Sequence, residues 1–239
     1  MTVSRRLNDV GLFGRIGLNK PFISEKNRKA RLQFAKEHKD WTTEDCQKVA
    51  FSDESKFNLF GNDGKQYVRR SKSARMDPKD CVSTVKFGGG NVKVGGIFSS
   101  SGVGPLVVVD GIMTAQVYKR ILQDNVLQYA SSNMGPDWVF QQDNDPKHTA
   151  EIVARWFESQ NINVLQWPSQ SPDLNPIEHL WGELKRRLRG QNVTNKAALL
   201  EILMSEWQNM PTILLQNLIA SMPRRCAAVI AANGLTTKY

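Results

Sequence analysis

Two short apolar runs, KVAFSD (48–53) and WVFQQD (138–143), each end in an aspartate, Asp53 and Asp143. Taken singly, either aspartate suits a turn that closes a strand. Taken together they suggest chemistry, because ligands of open α/β sheets gather beyond the strand ends. Two carboxylates set side by side there repel one another unless a cation lies between them. Hard oxygen ligands of this kind favour Mg²⁺ or Mn²⁺ over zinc.

A third acid, Glu178, follows Asn175 by three residues. Two readings are open for it. It fits a capping box, bonding back to the start of its helix. It also flanks an apolar stripe, with Gly182 one turn later leaving space beside it, so its carboxylate could point back at the strand ends. The neighbouring acids Glu54 and Asp145 read as structural: Glu54 adjoins Asp53 and should project to the opposite face, and Asp145 suits an N-cap before Pro146. Lys147 and His148 either meet a phosphate or decorate a first helical turn.

Elements must hold these residues in place. Residues 2–10 read as a short helix ended by Gly11, and Gly11–Ser24, with Gly14, Gly17 and Pro21, as a linker. A basic helix follows over 25–38, with Leu32 and Phe34 too sparse to define a strong face. KVAFSD, KFNLFG and QYVRR predict three short strands in a meander. Seven of the 17 glycines fall between 88 and 104, around the strand candidate VKVGGIF, and read as hairpins or a loop excursion. LVVVDG (106–111) is a further strand. The pattern then alternates. A helix over 114–130 behind a Thr114 cap leads to strand WVFQQD. Asp145-Pro146 opens a helix with Ile152, Val153, Trp156 and Phe157 on its face, and strand INVLQW (162–167) follows. Asn175-Pro176 opens a helix whose stripe is Ile177, Leu180, Trp181, Leu184 and Leu188. Helices occupy the rest. Strands first, then alternation, predict a mixed sheet covered by helices.

Composition narrows the class. Residues 1–39 hold ten Lys/Arg against three acids, a net of +7 out of +9 for the whole chain. Such a lopsided arm suits a polyanion, since each neutralised phosphate releases counterions; a solvated basic tail is the alternative. Cys46, Cys81 and Cys226 are scattered, without the pairing of a zinc ribbon or a disulfide framework. No apolar run approaches a membrane span, no secretory leader is evident, and no phosphate-binding G-x-x-x-x-G-K-[ST] loop occurs.

FSDESKFNLFG, VFQQDNDPKHTA and WPSQSPDLNPIEHLWGELKRRL resemble the three catalytic blocks of the Tc/mariner superfamily of cut-and-paste transposases, close to its Sleeping Beauty branch. Thirty-four residues separate Asp143 from Glu178, the interval of that branch. The resemblance runs from about Thr2 to Tyr239. It implies an α/β, ribonuclease-H-like sheet with a glycine-rich insertion near DNA around Gly88–Gly96. It also implies that Asp53, Asp143 and Glu178 are a catalytic triad and the metal ligands, holding Mg²⁺ or Mn²⁺, two ions in all. Two such ions can steady the attacking and leaving oxygens of an in-line displacement. Double-stranded DNA, as transposon ends and a TA-containing target, is the implied partner, with a homodimer on DNA and a nuclear location. Arg5, Arg6, Arg15, Lys20, Lys147, His148, Lys185 and Arg186 are the expected DNA contacts, and Arg187 and Arg189 share the outward face of the Glu178 helix. TVSRRLNDVG resembles the recognition helix of a second helix-turn-helix unit. On this reading residues 1–24 are the remnant of that unit plus a basic linker, and 25–239 the catalytic domain. A domesticated relative that only binds DNA, and a nuclease that never joins strands, are the rival readings.

Overall fold

Val49, Ala50 and Phe51 are fully buried and lead into the central strand of a mixed sheet. The computed structural model describes residues 2–13, 22–59, 90–191 and 193–239. Strand β1 (Val49–Asn58) pairs antiparallel with β2 (Asn91–Ser99) and parallel with β5 (Val139–Gln141). Strands β3 (Gly102–Val103) and β4 (Val107–Val108) pair with β2, and β6 (Asn163–Val164) pairs parallel with β5. The sheet order is β3-β2-β1-β5-β6.

Alternation along β1 divides the core. Val49 and Phe51 face a cluster with Phe98, Leu180, Trp181 and Trp207, while Ala50 faces another with Tyr118, Phe140, Val153 and Trp156. The first layer holds α2 (Glu25–Glu37), α3 (Thr43–Gln47), α7 (Ile177–Arg187), α8 (Lys196–Gln208), α9 (Thr212–Ile219) and α10 (Met222–Ala231). The second holds α4 (Ala115–Ile121), α5 (Leu127–Asn133) and α6 (Glu151–Ser159). A π-helical turn, Leu122–Val126, joins α4 to α5, with the Asn125 amide donating to the Ile121 carbonyl. Thr114 caps α4 as expected, accepting from the Val117 N–H. At the N-terminus α1 (Val3–Asp9) ends before Gly11, which takes a positive φ of 78°. No helix among the described residues is long and apolar enough to cross a membrane.

Several expectations need correction. KVAFSD and KFNLFG are one ten-residue strand, not two, so Asp53 lies in mid-strand rather than at a strand end. The polar SDESK segment looked like a turn, yet it contains neither Gly nor Pro and pairs residue for residue with β2, from Asp53↔Gly96 to Lys56↔Lys93. The third strand, QYVRR, lies outside the described residues, as do Gly14, Gly17, Pro21, Cys81 and Gly88–Gly89. Pro146 opens a turn rather than a helix, and α6 begins five residues later. Ile152 is solvent-exposed while Val153, Trp156 and Phe157 are buried. Gly95 and Gly96 lie inside β2, where a Cβ on Gly96 would come within 2.6 Å of the Trp181 ring. Trp181 and Trp207 stack there at 4.9 Å, and the Trp207 indole N–H donates to the Gly104 carbonyl.

A buried ion pair closes the first layer. Arg31, with no exposed surface, donates to both carboxylate oxygens of Asp173 at 2.7 and 2.8 Å and to the carbonyls of Gln170, Gly234 and Leu235. Asp173 also accepts from the Thr237 N–H and hydroxyl, and Arg225 donates to its carbonyl. Burial favours the protonated acid, but the Arg31 hydrogen bonds outweigh it and hold Asp173 below the usual carboxylate range. Stability from this pair is therefore present above the ordinary aspartate value, about 4, and lost as pH falls below it. Asp173→Asn should cost about 3–5 kcal/mol at pH 7, because it leaves the guanidinium buried without its counter-charge. Urea unfolding at pH 7 and at pH 3 checks both points: the loss should shrink at pH 3, and a cost under about 1 kcal/mol at pH 7 would show the pair to be dispensable.

Candidate active site

Ser52, the residue before Asp53, fastens the middle of β1 to the end of β5. Its hydroxyl donates to the Gln141 carbonyl at 2.6 Å, and its N–H donates to the Gln141 side-chain oxygen at 3.2 Å. Its carbonyl accepts from the Asn175 amide at 3.2 Å, and the Asn175 side-chain oxygen accepts from the Ile177 N–H at the head of α7. One asparagine thus ties the first turn of α7 to the backbone beside Asp53, and Glu178 is in that turn. On the other flank, the Asn144 amide donates to the Trp167 carbonyl and Ser169 hydroxyl. Asp53 at β1, Asp143 just beyond β5 and Glu178 on α7 all line one cleft of about 320 Å³, walled by residues 167–172.

The electrostatics of this cleft are strained. Burial, and then the charge of Glu178, push the Asp53 carboxyl up to about 8, and the charges of Glu54 and Asp143 act in the same direction. Burial likewise raises Glu178, although a hydrogen bond with Asp53 opposes the rise. Asp143 goes the other way: burial would raise it, but hydrogen bonds from His148 and the Asp145 N–H hold it low. Among the described residues no three His, Cys, Asp or Glu side chains are drawn closely enough together to form a ready-made metal cage. The donor set nonetheless fits a hard divalent ion. It consists of carboxylate oxygens from a strand, a helix and a tethered loop, with a mutual repulsion that a cation would relieve.

His148 is where surface reasoning departs from the structure. It is 3% exposed, and its Nδ1 lies 2.5 Å from Asp143 Oδ1 while Nε2 lies 3.0 Å from Glu54 Oε1. Burial favours a neutral ring, but the hydrogen bonds of Asp143 and Glu54 outweigh it and raise its pKa. Both ring nitrogens are engaged, so the phosphate contact expected of His148 finds neither available. Lys147 is also turned inward, with Nζ 2.6 Å from Asp145 and 3.5 Å from Glu54. Asp145 caps this turn rather than α6: its carboxylate accepts from the Lys147 N–H and its carbonyl from the His148 and Thr149 N–H groups.

Glu54 is the residue that sequence reasoning set aside. Strand alternation turns it off the Asp53 side, yet there the Lys147-His148 dipeptide meets it. The signal was the adjacency of an acid pair in one block and a Lys-His pair in another.

The remaining expected DNA contacts scatter. Arg5 and Arg6 are exposed on α1, while Arg15 and Lys20 lie outside the described residues. Lys185 is half-buried with its ammonium 5.8 Å from the Phe57 ring centre, and its charge reaches Glu178. Arg186 is exposed and grips Glu183 through two bonds of 2.7 Å. Arg187, expected on the outward face, instead clasps Glu183 and Glu206, joining α7 to α8. Arg189 is exposed at the end of α7.

Comparison with known proteins gives a consistent picture. A family model described as DDE superfamily endonuclease matches residues 48–200, and one described as Transposase matches residues 1–40. The Tc1 transposable element transposase of Caenorhabditis elegans is 51% identical over 238 residues, covering 100% of this chain and 87% of that protein. The Tcb1 transposase of Caenorhabditis briggsae is 50% identical with the same coverage. Among solved structures, the Mos1 mariner paired end complex with Mn superposes with a TM-score of 0.82 at 20% identity, covering 99% of this chain and 71% of that one. The Mos1 strand transfer complex gives 0.79 at 21%, covering 99% and 70%. At such identities the likeness shows the fold, a ribonuclease-H-like mixed sheet.

The raised Asp53 carboxyl carries a sign that can be checked without DNA. An acid whose folded value lies above its unfolded one costs stability progressively as pH rises from about 4. Here the loss is complete near the folded value of about 8. Metal-free Asp53→Asn should therefore melt higher than metal-free wild type at pH 7–8, by at least the roughly 2–4 °C that 1 kcal/mol moves in a chain of this size. Thermal melts across pH 4–8 would show the two curves converging at the acid end. An Asn variant that melts lower throughout would contradict the strain.

Proposed function

This chain belongs to the Tc1/mariner family of DDE transposases, a cut-and-paste transposition core, and we propose that Asp53, Asp143 and Glu178 carry its phosphodiester chemistry around two divalent ions, Mg²⁺ or Mn²⁺. One observation supports the assignment above others: three carboxylates from a strand, a strand-end loop and a helix line the same cleft. When bound, such ions lower the barrier to in-line attack at phosphorus by polarising the attacking and leaving oxygens.

The chain's own residues then have separate tasks. Asp53 contributes from the middle of the central strand, and burial together with the charge of Glu178 gives it the high proton affinity that a cation would relieve. Asp143 contributes a carboxylate held ionised by His148. Glu178 contributes from the helix, where Asn175 fixes its turn against β1. No covalent enzyme intermediate is required: rigid placement serves strand hydrolysis first and attack by the freed 3′-hydroxyl on target DNA second. Mos1 paired end complexes solved with Mn and, separately, with Mg are consistent with a divalent requirement.

DNA is the partner on this reading: transposon ends, and a target containing TA, bound by a pair of copies in the nucleus. Arg5, Arg6, Arg15 and Lys20 lie within the stretch matched by the second family model and are proposed to follow phosphates, with Lys185 and Arg186 on α7. Residues 1–24 are proposed as the end of a helix-turn-helix unit and its linker, and 25–239 as the catalytic domain.

Single changes Asp53→Asn, Asp143→Asn and Glu178→Gln should each reduce cleavage of a transposon-end duplex at least 10³-fold, the scale of removing a central electrostatic group. Circular dichroism should stay native. Wild-type cleavage should stop on chelation and return with Mg²⁺ or Mn²⁺. A pre-cut end supplied with target plasmid should yield joined product. Cleavage without joining would favour the nuclease reading, and DNA binding without either would favour a domesticated binder. Activity surviving exhaustive chelation would overturn the metal assignment.

A further inference from the structure

The triad assignment leaves a buried charge network behind it without a stated task. Glu54 has only 12% of its side chain exposed and uses both carboxylate oxygens inward: Oε1 faces His148 Nε2 at 3.0 Å, and Oε2 lies 3.5 Å from Lys147 Nζ. His148 is framed on every side. Its ring centre lies 4.0 Å from that of Tyr118. The Tyr118 hydroxyl donates to the Gln142 side-chain oxygen, and the Gln142 amide donates to the His148 carbonyl. An imidazole held in this way has one orientation, and that orientation delivers Nδ1 to Asp143 Oδ1. Asp143 needs such a tether because it stands past the last paired residue of β5, Gln141, and its own carboxylate is half-exposed.

We propose that Glu54 is a positioning residue for Asp143, acting from β1 through His148, a proposal that rests on the reading of Asp143 as a cation ligand. Glu54 is covalently next to Asp53, so a single strand segment sets both carboxylates: Asp53 directly, and Asp143 through the imidazole. The spacing between the two is then fixed by β1 rather than by the loop that bears Asp143. A ligating carboxylate held by a hydrogen-bonded partner keeps its aim, and losing such a partner typically weakens metal affinity ten- to hundred-fold.

The test uses the full chain and Mn²⁺ alone. Electron paramagnetic resonance titration gives the Mn²⁺ dissociation constant for wild type, E54M, E54Q and D143N, with melting midpoints measured beside it. Methionine preserves length and packing but removes both acceptors, and should weaken Mn²⁺ binding about ten- to hundred-fold. Glutamine retains an oxygen for His148 and should recover most of that loss. Raising Mn²⁺ to saturation should restore E54M cleavage, whereas D143N should stay inactive. An E54M dissociation constant within threefold of wild type (roughly 0.65 kcal/mol by RT ln 3) beside a D143N that no longer binds would overturn the positioning role alone. A D143N that binds Mn²⁺ as wild type does would overturn the ligand reading, and this proposal with it. Should E54M fail to fold, the ¹⁵N resonances of the His148 ring in E54A decide: displacement of Nδ1, the nitrogen facing Asp143, supports the link, and an unchanged Nδ1 refutes it.

Discussion

Carboxylates repel one another most where water is scarce, and this fold holds Asp53, Asp143 and Glu178 around one cleft against that repulsion. Nothing about three acids makes them gather; the backbone has to bring them together and keep them there. Each comes from a separate element, and each element is tied to the next by a polar bond close to the acid. Ser52 joins β1 to β5 one residue before Asp53, and Asn175 joins α7 to β1 three residues before Glu178. These short links transmit the stiffness of the core to the cleft, because a side chain three bonds from a fixed backbone atom has few ways to retreat.

The core must therefore resist more than an ordinary surface cleft would ask of it. Trp181 projects from the same helix as Glu178 and seats its ring against Gly96, the residue paired with Asp53 in the sheet. A side chain at Gly96 would displace the indole and tilt α7, so the absence of a Cβ there sets the distance between helix and strand. Behind the 167–172 wall, Arg31 binds Asp173 and two carbonyls near the C-terminus, tying α2 and the chain end to the loop that leads into α7. Buried ion pairs are weak sources of net stability, but they tolerate few alternative arrangements, and this one fixes where the loop lies.

How much of this could be read from the residues depends on range. Asp143 beyond an apolar strand, the Asn175-Pro176 start of α7, the Thr114 cap and the apolar stripe of α7 are local patterns, and all appear in the structure, whereas Asp53 lies inside its strand. The continuity of β1 was hidden because SDESK is polar: its partner β2 lies across a long interval, and cross-strand pairing decided the matter. Pro146 misled because a proline that suits a first helical turn suits position i+1 of a β-turn equally well. Arg31 was counted with the basic arm, since no helical period marks a buried arginine whose partner is 142 positions away. Strand alternation gives the face Glu54 points to but not what waits there.

The distribution of charge completes the picture. In the basic arm Arg5, Arg6, Lys26, Lys29, Lys36 and Lys39 are exposed, whereas Arg31, Lys147 and Arg187 near the cleft or core are matched by acids. Exposed ion pairs such as Lys29 with Glu25 are screened and worth little, so these side chains remain available to a polyanion. Helix α2 stands against the wall of the cleft, where Asn27 bonds Gln170. A DNA backbone would therefore be drawn toward the rim by long-range attraction while the floor repels it. On the proposed reading, divalent ions would reverse the local sign before a phosphate meets the three carboxylates. On the same reading, attraction at the rim and repulsion at the floor would make divalent ions in the cleft a condition of substrate entry as well as of chemistry, which follows from where the fold puts its charges rather than from how many it has.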